Sequence, residues 1–324
     1  MKFFIKTIYF TLICILSTSW INISFAKSTK QYSKENISNY FSGTISLSQN
    51  NNFASFKYLN KVQTLKDSHS NFNIQFLRSL VLIDKFDQAF TFSEKIWKED
   101  SYFFEVDLLL GLNSFIKEDY VKAERHFERL NYIYENNLVF YKFLGNVLIS
   151  WSKAAQNNKK ESLKNFSKIP DSFNNLKLIQ NSFLQCYFDN ADSIKLYNQL
   201  INNNEEGSFS RYNFFLANYF LHKKQKKKAE IVINEATKNE NLTLLVKQTK
   251  NFLENNSEKK IIDFFNCKNP KDAIAEILYV IANLYSSEEN YQMSNFYLKI
   301  SFLLNDKFAP NKTLLAENFF LQEK

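Results

Sequence analysis

Residues 102–136 read YFFEVDLLLGLNSFIKEDYVKAERHFERLNYIYEN, and this stretch decides the fold class. Leu110 and Gly111 sit in one helix. Tyr120, Ala123, Phe127 and Leu130 follow at i, i+3, i+7 and i+10, a spacing that places all four on one helical face. Gly111 and Ala123 are small where two antiparallel helices must come close, and the large residues fill the space on either side. Glu118 and Asp119 form the short turn between the helices.

The same arrangement recurs along the chain. Leu216, Ala217 and Phe220 are followed by Ala229, Ile233 and Ala236, and Ile281, Ala282 and Tyr285 by Tyr291, Ser294 and Leu298. Weaker copies centre on Phe86/Ala89, Ser162/Phe166 and Ser193/Tyr197. The small residue of the second helix falls at Ala89, Ala123, Ser162, Ser193, Ala229 and Ser294, a nearly periodic series. The last interval is close to two periods, and Leu242–Glu254 with Glu258–Phe265 supplies a degenerate pair inside it. An earlier, poor copy is expected in residues 37–68.

This pattern resembles the tetratricopeptide repeat, whose helix pairs recur about every 34 residues. Gly111, Ala123, Phe127, Ala217, Ala229, Ala282 and Ser294 carry the resemblance. Asp107 stands where that family often has Trp, and Ser114 where it often has Tyr. The resemblance implies an all-α, right-handed superhelical solenoid of antiparallel helix pairs. About seven to eight degenerate repeats are expected over 37–324, the last incomplete.

Composition agrees. Gly and Pro together contribute seven of 324 residues, about 2% where about 12% is ordinary. Sheets and nucleotide-binding α/β folds need such residues at every corner. Residues 1–26 read as a secretory signal peptide: Lys2 and Lys6, an apolar stretch from Ile8 to Leu16, then Ser24 and Ala26 before a cleavage site. Residues 27–36 read as a mobile polar leader. The expected location is the cell envelope or periplasm.

The scattered Gly43, Gly111, Gly145 and Gly207 form no phosphate loop or dinucleotide fingerprint. His69, His126 and His222 lie far apart, and His126 reads as a partly exposed helix residue. No catalytic, metal or cofactor constellation is legible. Cys186 and Cys267 lie more than two repeats apart in sequence. In an array where only neighbouring repeats touch, they are expected to remain separate thiols. The formal charge of +8 falls to +6 without the leader, because residues 1–26 hold two lysines and no acid. Only Arg78, Arg125, Arg129 and Arg211 are arginines, which argues against nucleic-acid recognition. The densest charge run, Lys223–Lys228, reads as a solvated turn with a weak attraction to anionic membrane surfaces.

The resemblance implies that the first helix of each pair lines a concave face that holds peptide segments. It projects Leu112, Asn218 and Asn283 into that groove, with Phe214 and Tyr279 one turn earlier and Arg211 and Glu276 near the helix starts. The corresponding face elsewhere carries Arg78, Val81, Val147 and Trp151. The expected function is a scaffold that binds a peptide or protein segment. The rival is a structural subunit of an envelope or secretion assembly, and an enzyme comes third. Leu315, Ala316 and Phe319 repeat the first-helix spacing after Pro310. Phe319, Phe320 and Leu321 are expected to stay partly open to water, which favours self-association.

Overall fold

With so little glycine, the left-handed residue that closes a helix has to be something else. The computed structural model describes residues 32–133, 138–202, 209–238 and 243–322. Eight non-glycine residues there have positive φ: Asn50, Asp84, Glu118, Asn157, Asp189, Lys224, Asn256 and Glu289. They recur about every 34 residues, the period read from the small residues. Each ends one helix and opens the turn into the next. At Glu118 the N–H bonds to the Phe115 carbonyl at 3.1 Å, and the Asp119 N–H to the Ser114 carbonyl at 3.0 Å. The same two-bond closure satisfies the end of the first helix at all eight turns. Asn51, Asp119, Asn158 and Asn290 then cap the second helix by accepting from the backbone N–H three residues on.

The described residues are all-helical, 78% in helix with no strand. In chain order the helices are α1 (Lys34–Ser48), α2 (Asn52–Leu59), α3 (Ser70–Leu82), α4 (Phe86–Ile96), α5 (Phe104–Ile116) and α6 (Tyr120–Leu130). Next come α7 (Leu138–Ala155), α8 (Lys159–Ser167), α9 (Asn174–Tyr187), α10 (Ser193–Ile201), α11 (Tyr212–His222) and α12 (Lys226–Ala236). The last are α13 (Leu244–Glu254), α14 (Glu258–Phe264), α15 (Pro270–Ser287), α16 (Tyr291–Leu304) and α17 (Pro310–Gln322). The degenerate pair expected between Ala229 and Ser294 is α13/α14, and the early copy is α1/α2. α1 starts at Lys34 on the side-chain cap of Ser33, so residues 34–36 of the expected leader are helical. The signal-peptide stretch lies outside the described residues, and no described helix is long and apolar enough to cross a membrane.

Small residues recur in register with the turns. Five residues after the left-handed position stand Ser55, Ala89, Ala123, Ser162, Ala229 and Ser294, each fully buried. Ser193 takes this place one residue early, and Ile261 fills it in α14. Seven residues before the turn stand Gly43, Gly111, Ser150, Ser182, Ala217, Thr249 and Ala282, also buried. The two rows lie on the facing helices of a pair, and at Ser150 and Ser162 they meet directly. Ser150 Oγ donates to the Ser162 carbonyl at 2.9 Å across this contact. A Cβ added at Gly111 would lie 2.3 Å from Phe127 Cε1, closer than carbon atoms approach.

The chain forms two compact units, one up to Ser79 and one from Leu80 onward. In the first, Gly43 packs on Leu59, and Phe56 and Phe72 both stack on Phe76. In the second, successive helices pack on one another, but contacts do not stop at neighbouring pairs. α15 also packs against α7 and α9. Gln180 Nε2 of α9 reaches the Ala273 carbonyl of α15 at 3.5 Å, and Lys271 Nζ reaches the Ile116 carbonyl at 3.3 Å. Lys299 of α16 pairs with Asp84 at 2.6 Å.

This overturns the expectation for the cysteines. Cys186, at the end of α9, and Cys267, just before α15, form a disulfide with Cα atoms 6.0 Å apart. Neighbour-only contact was the wrong premise, because α15 folds back onto α9 and closes the sequence gap.

Two outcomes test this packing. Gly111→Leu, whose side chain must displace Phe127, is expected to cost about 1–3 kcal/mol or more in a denaturant titration. Closure of the 81-residue separation is expected to contribute up to about 4 kcal/mol. Reductant should therefore lower the melting temperature of the wild type and leave a Cys186→Ser/Cys267→Ser variant unmoved.

Candidate functional site

Packing between helices decides which of the expected groove residues remain accessible. Phe214 is fully buried, with ring centroids 5.0 Å from Phe215 and 6.4 Å from Phe308. Asn218 is 2% exposed, and its amide donates to the carbonyls of Ile261 and Phe265 at 2.8 and 2.9 Å. Both amide hydrogens are spent on closing the α14 end, so Asn218 is a core tie, not a groove residue. Trp151 is likewise buried and donates from Nε1 to Gln180 Oε1 at 2.7 Å. Leu112, Val147 and Val81 are core residues. Arg78 falls in the first compact unit and is half-buried.

Arg211, Tyr279 and Asn283 behave differently: all three line one groove of about 1020 Å³ in the second unit. The 3-10 turn before α9 and the first turns of that helix form one wall, with Phe173 and Leu176. The start of α13 contributes Leu244, Leu245 and Gln248, and α17 contributes Thr313, Leu314 and Glu317. The second half of α15, carrying Tyr279, Val280, Asn283 and Leu284, runs along it. Ile179, Leu245 and Leu314 are buried in its floor, whereas Leu244 and Leu284 stand 64% and 49% exposed at its rim.

Arg211 anchors the groove. Its guanidinium grips Glu276 with both nitrogens, Nη2 lying 3.1 Å from Oε2. It also lies 4.6 Å over the Tyr279 ring. Burial opposes the charge on Arg211, but Glu276, Tyr212 and Tyr279 together outweigh it and hold the guanidinium charged above its ordinary value. Glu276 is 1% exposed and needs this partner. Burial raises the Tyr279 phenol, opposed by Arg211 and Asn283 and assisted by Glu276 and Glu317. Sequence reading found Arg211 and Glu276 near their helix starts. It did not pair them, because they are 65 residues apart and no pattern reports the folding back of α15.

Two other polar clusters are structural by geometry. Asp107 is fully buried. Its Oδ1 accepts from Arg129 Nε at 2.8 Å and Trp97 Nε1 at 3.1 Å, with His126 Nδ1 also 3.1 Å away. Arg129 donates onward to the carbonyls of Lys98, Glu99 and Ser101, pinning that loop. Asp107 is thus the hub of a buried network. His126, expected to be partly exposed, is 5% exposed within it. A smaller cavity of about 320 Å³ lies beside Asp272, whose carboxyl burial pushes up to about 6. Among the described residues no His, Cys, Asp and Glu cluster could hold a metal. Within Lys223–Lys228, Lys223 pairs with Asp189 at 2.8 Å and Lys226 pairs with Glu258. Part of that run's charge is therefore neutralised locally.

Fold and site together define, among the described residues, an all-helical protein of recurring helix pairs with a groove lined by both apolar and polar side chains. No protein-family model matches the chain, and no curated protein matches it.

Glu276→Gln leaves the Arg211 charge without its counter-ion. The expected loss is about 3 kcal/mol, the low end for a broken buried pair, because the Arg211 side chain is still 18% exposed. Chemical denaturation of the variant checks it.

Proposed function

We propose that the protein is an exported scaffold of tetratricopeptide-like helix pairs that holds a peptide or protein segment in the groove beside α15. The observation that carries this reading is the convergence of Arg211, Tyr279 and Asn283 on one cavity of about 1020 Å³. That volume is at the upper limit of small-molecule sites. Its apolar floor suits side chains, and the amides of Asn283 and Gln248 can each donate to and accept from a peptide backbone. The solenoid arrangement belongs to this proposal and is supported by the turn spacing of about 34 residues. Export is supported by the signal-like residues 1–26 and by the Cys186–Cys267 disulfide, since structural disulfides persist mainly in oxidising compartments.

A structural subunit is the second reading. It is favoured by the filling of much of the inner helix face and by exposed apolar side chains. Ile37, Phe41 and Ile45 form a stripe on α1, and Phe319 and Leu321 lie on α17.

Asn283 and Leu284 are exposed, so changing them should leave the fold intact. The mature chain is expected to enrich a defined set of sequences from a random-peptide display library. An Asn283→Ala/Leu284→Glu variant with an unchanged melting temperature should lose that enrichment at least tenfold, about 1.4 kcal/mol. Equal enrichment by the variant would move the binding site elsewhere, and no enrichment by either would favour the structural subunit.

A further inference from the structure

The charges around the groove indicate what kind of segment it takes. Three charged residues line it: Asp171, Arg211 and Glu317. Arg211 is committed to Glu276, and Asp171 is met by Lys177 at 3.2 Å. Glu317 is exposed on α17 and is the one lining charge with no ion-pair partner among the described residues. Glu317 lines the same groove as Tyr279, whose phenol its charge helps to raise. Around Glu317 the surface is apolar or neutral: Leu314 and Thr313 on its own helix, Leu284 and Asn283 on α15.

We propose that the groove takes an extended peptide in which apolar side chains adjoin a lysine or arginine, the cation pairing with Glu317 at the rim. This rests on the peptide-groove reading above and adds the chemistry of the occupant. A cation approaching from a peptide meets a carboxylate beside low-dielectric walls, where the attraction is stronger than in open water. An acidic peptide meets the same carboxylate as a repulsion. Arg211 does not compensate, because its charge is already matched by Glu276.

The local preference runs against the rest of the molecule. The chain carries +8 overall, so unspecific attraction favours acidic peptides. A preference for basic peptides therefore reports the groove and not the net charge.

The test uses the mature chain and three fluorescein-labelled ten-residue peptides of one Leu/Phe-rich sequence, carrying two Lys, two Gln or two Glu, in fluorescence anisotropy titrations. The Lys peptide is expected to bind about fivefold more tightly than the Gln peptide, the scale of one exposed ion pair, and the Glu peptide more weakly than either. In Glu317→Gln the ratio of Lys-peptide to Gln-peptide affinity should fall below about twofold, and high salt should have the same effect on the wild type. Gln and Lys peptides binding alike, or a Lys advantage that survives Glu317→Gln, would overturn the charge assignment. If the Gln peptide binds and loses affinity in Asn283→Ala/Leu284→Glu, the groove reading stands in that case. Absence of binding by all three peptides would overturn both.

Discussion

Most helix pairs depend on a close crossing between two small residues, one seven positions before the left-handed turn and one four or five positions after it; Leu77 takes the first place in α3 and Ile261 the second in α14. A small side chain on both helices lets the backbones approach, and large neighbours such as Phe127 then fill the space above and below. Where glycine takes the position seven before the turn, at Gly43 and Gly111, even one methyl group would overlap the partner side chain. Packing at interior density leaves no room to absorb such a change. The turn is part of the same constraint, because it sets the phase of the second helix relative to the first. Asn, Asp, Glu and Lys occupy the left-handed position in place of glycine. Asn and Asp tolerate that conformation best, and Glu118, Lys224 and Glu289 hold it within closed two-bond turns.

The second constraint is the placement of α15. Bringing it onto α7 and α9 buries polar groups that need partners, since an unpaired buried donor or acceptor costs about 1–3 kcal/mol. Trp151, Gln180 and the Ala273 carbonyl form one chain of such partners, and Asn218 satisfies two carbonyls at the end of α14. The Cys186–Cys267 disulfide and the Arg211–Glu276 pair hold α15 at two further points. These ties bury first-helix residues such as Trp151 and Asn218 and leave the groove between α9, α13, α15 and α17.

A buried ion pair is a costly way to gain stability, because desolvation offsets much of the attraction. Its consequence here is positional. Arg211 lies over the Tyr279 ring and fixes one groove wall, while its matched charge leaves Glu317 to set the sign of the rim.

The helix pairs were legible in residues 102–136 and their copies because the crossing constraint is local. It acts within a single helix pair and leaves small residues at regular positions. The weak copies at α1/α2 and α13/α14 were the harder ones, since Ile261 fills the small position in α14 and Ser55 lies in a short helix. Arg211, Tyr279 and Asn283 were found as members of repeated first-helix positions. What the sequence alone determined is therefore the helical class, the pair and its period. Which first-helix residues stay accessible was decided only by tertiary structure. The same position that leaves Asn283 exposed buries Asn218, and two cysteines far apart in the chain meet. The first follows from α14 packing on α11 and the second from α15 folding back onto α9, contacts set by burial and side-chain fit that leave no periodic trace in the chain.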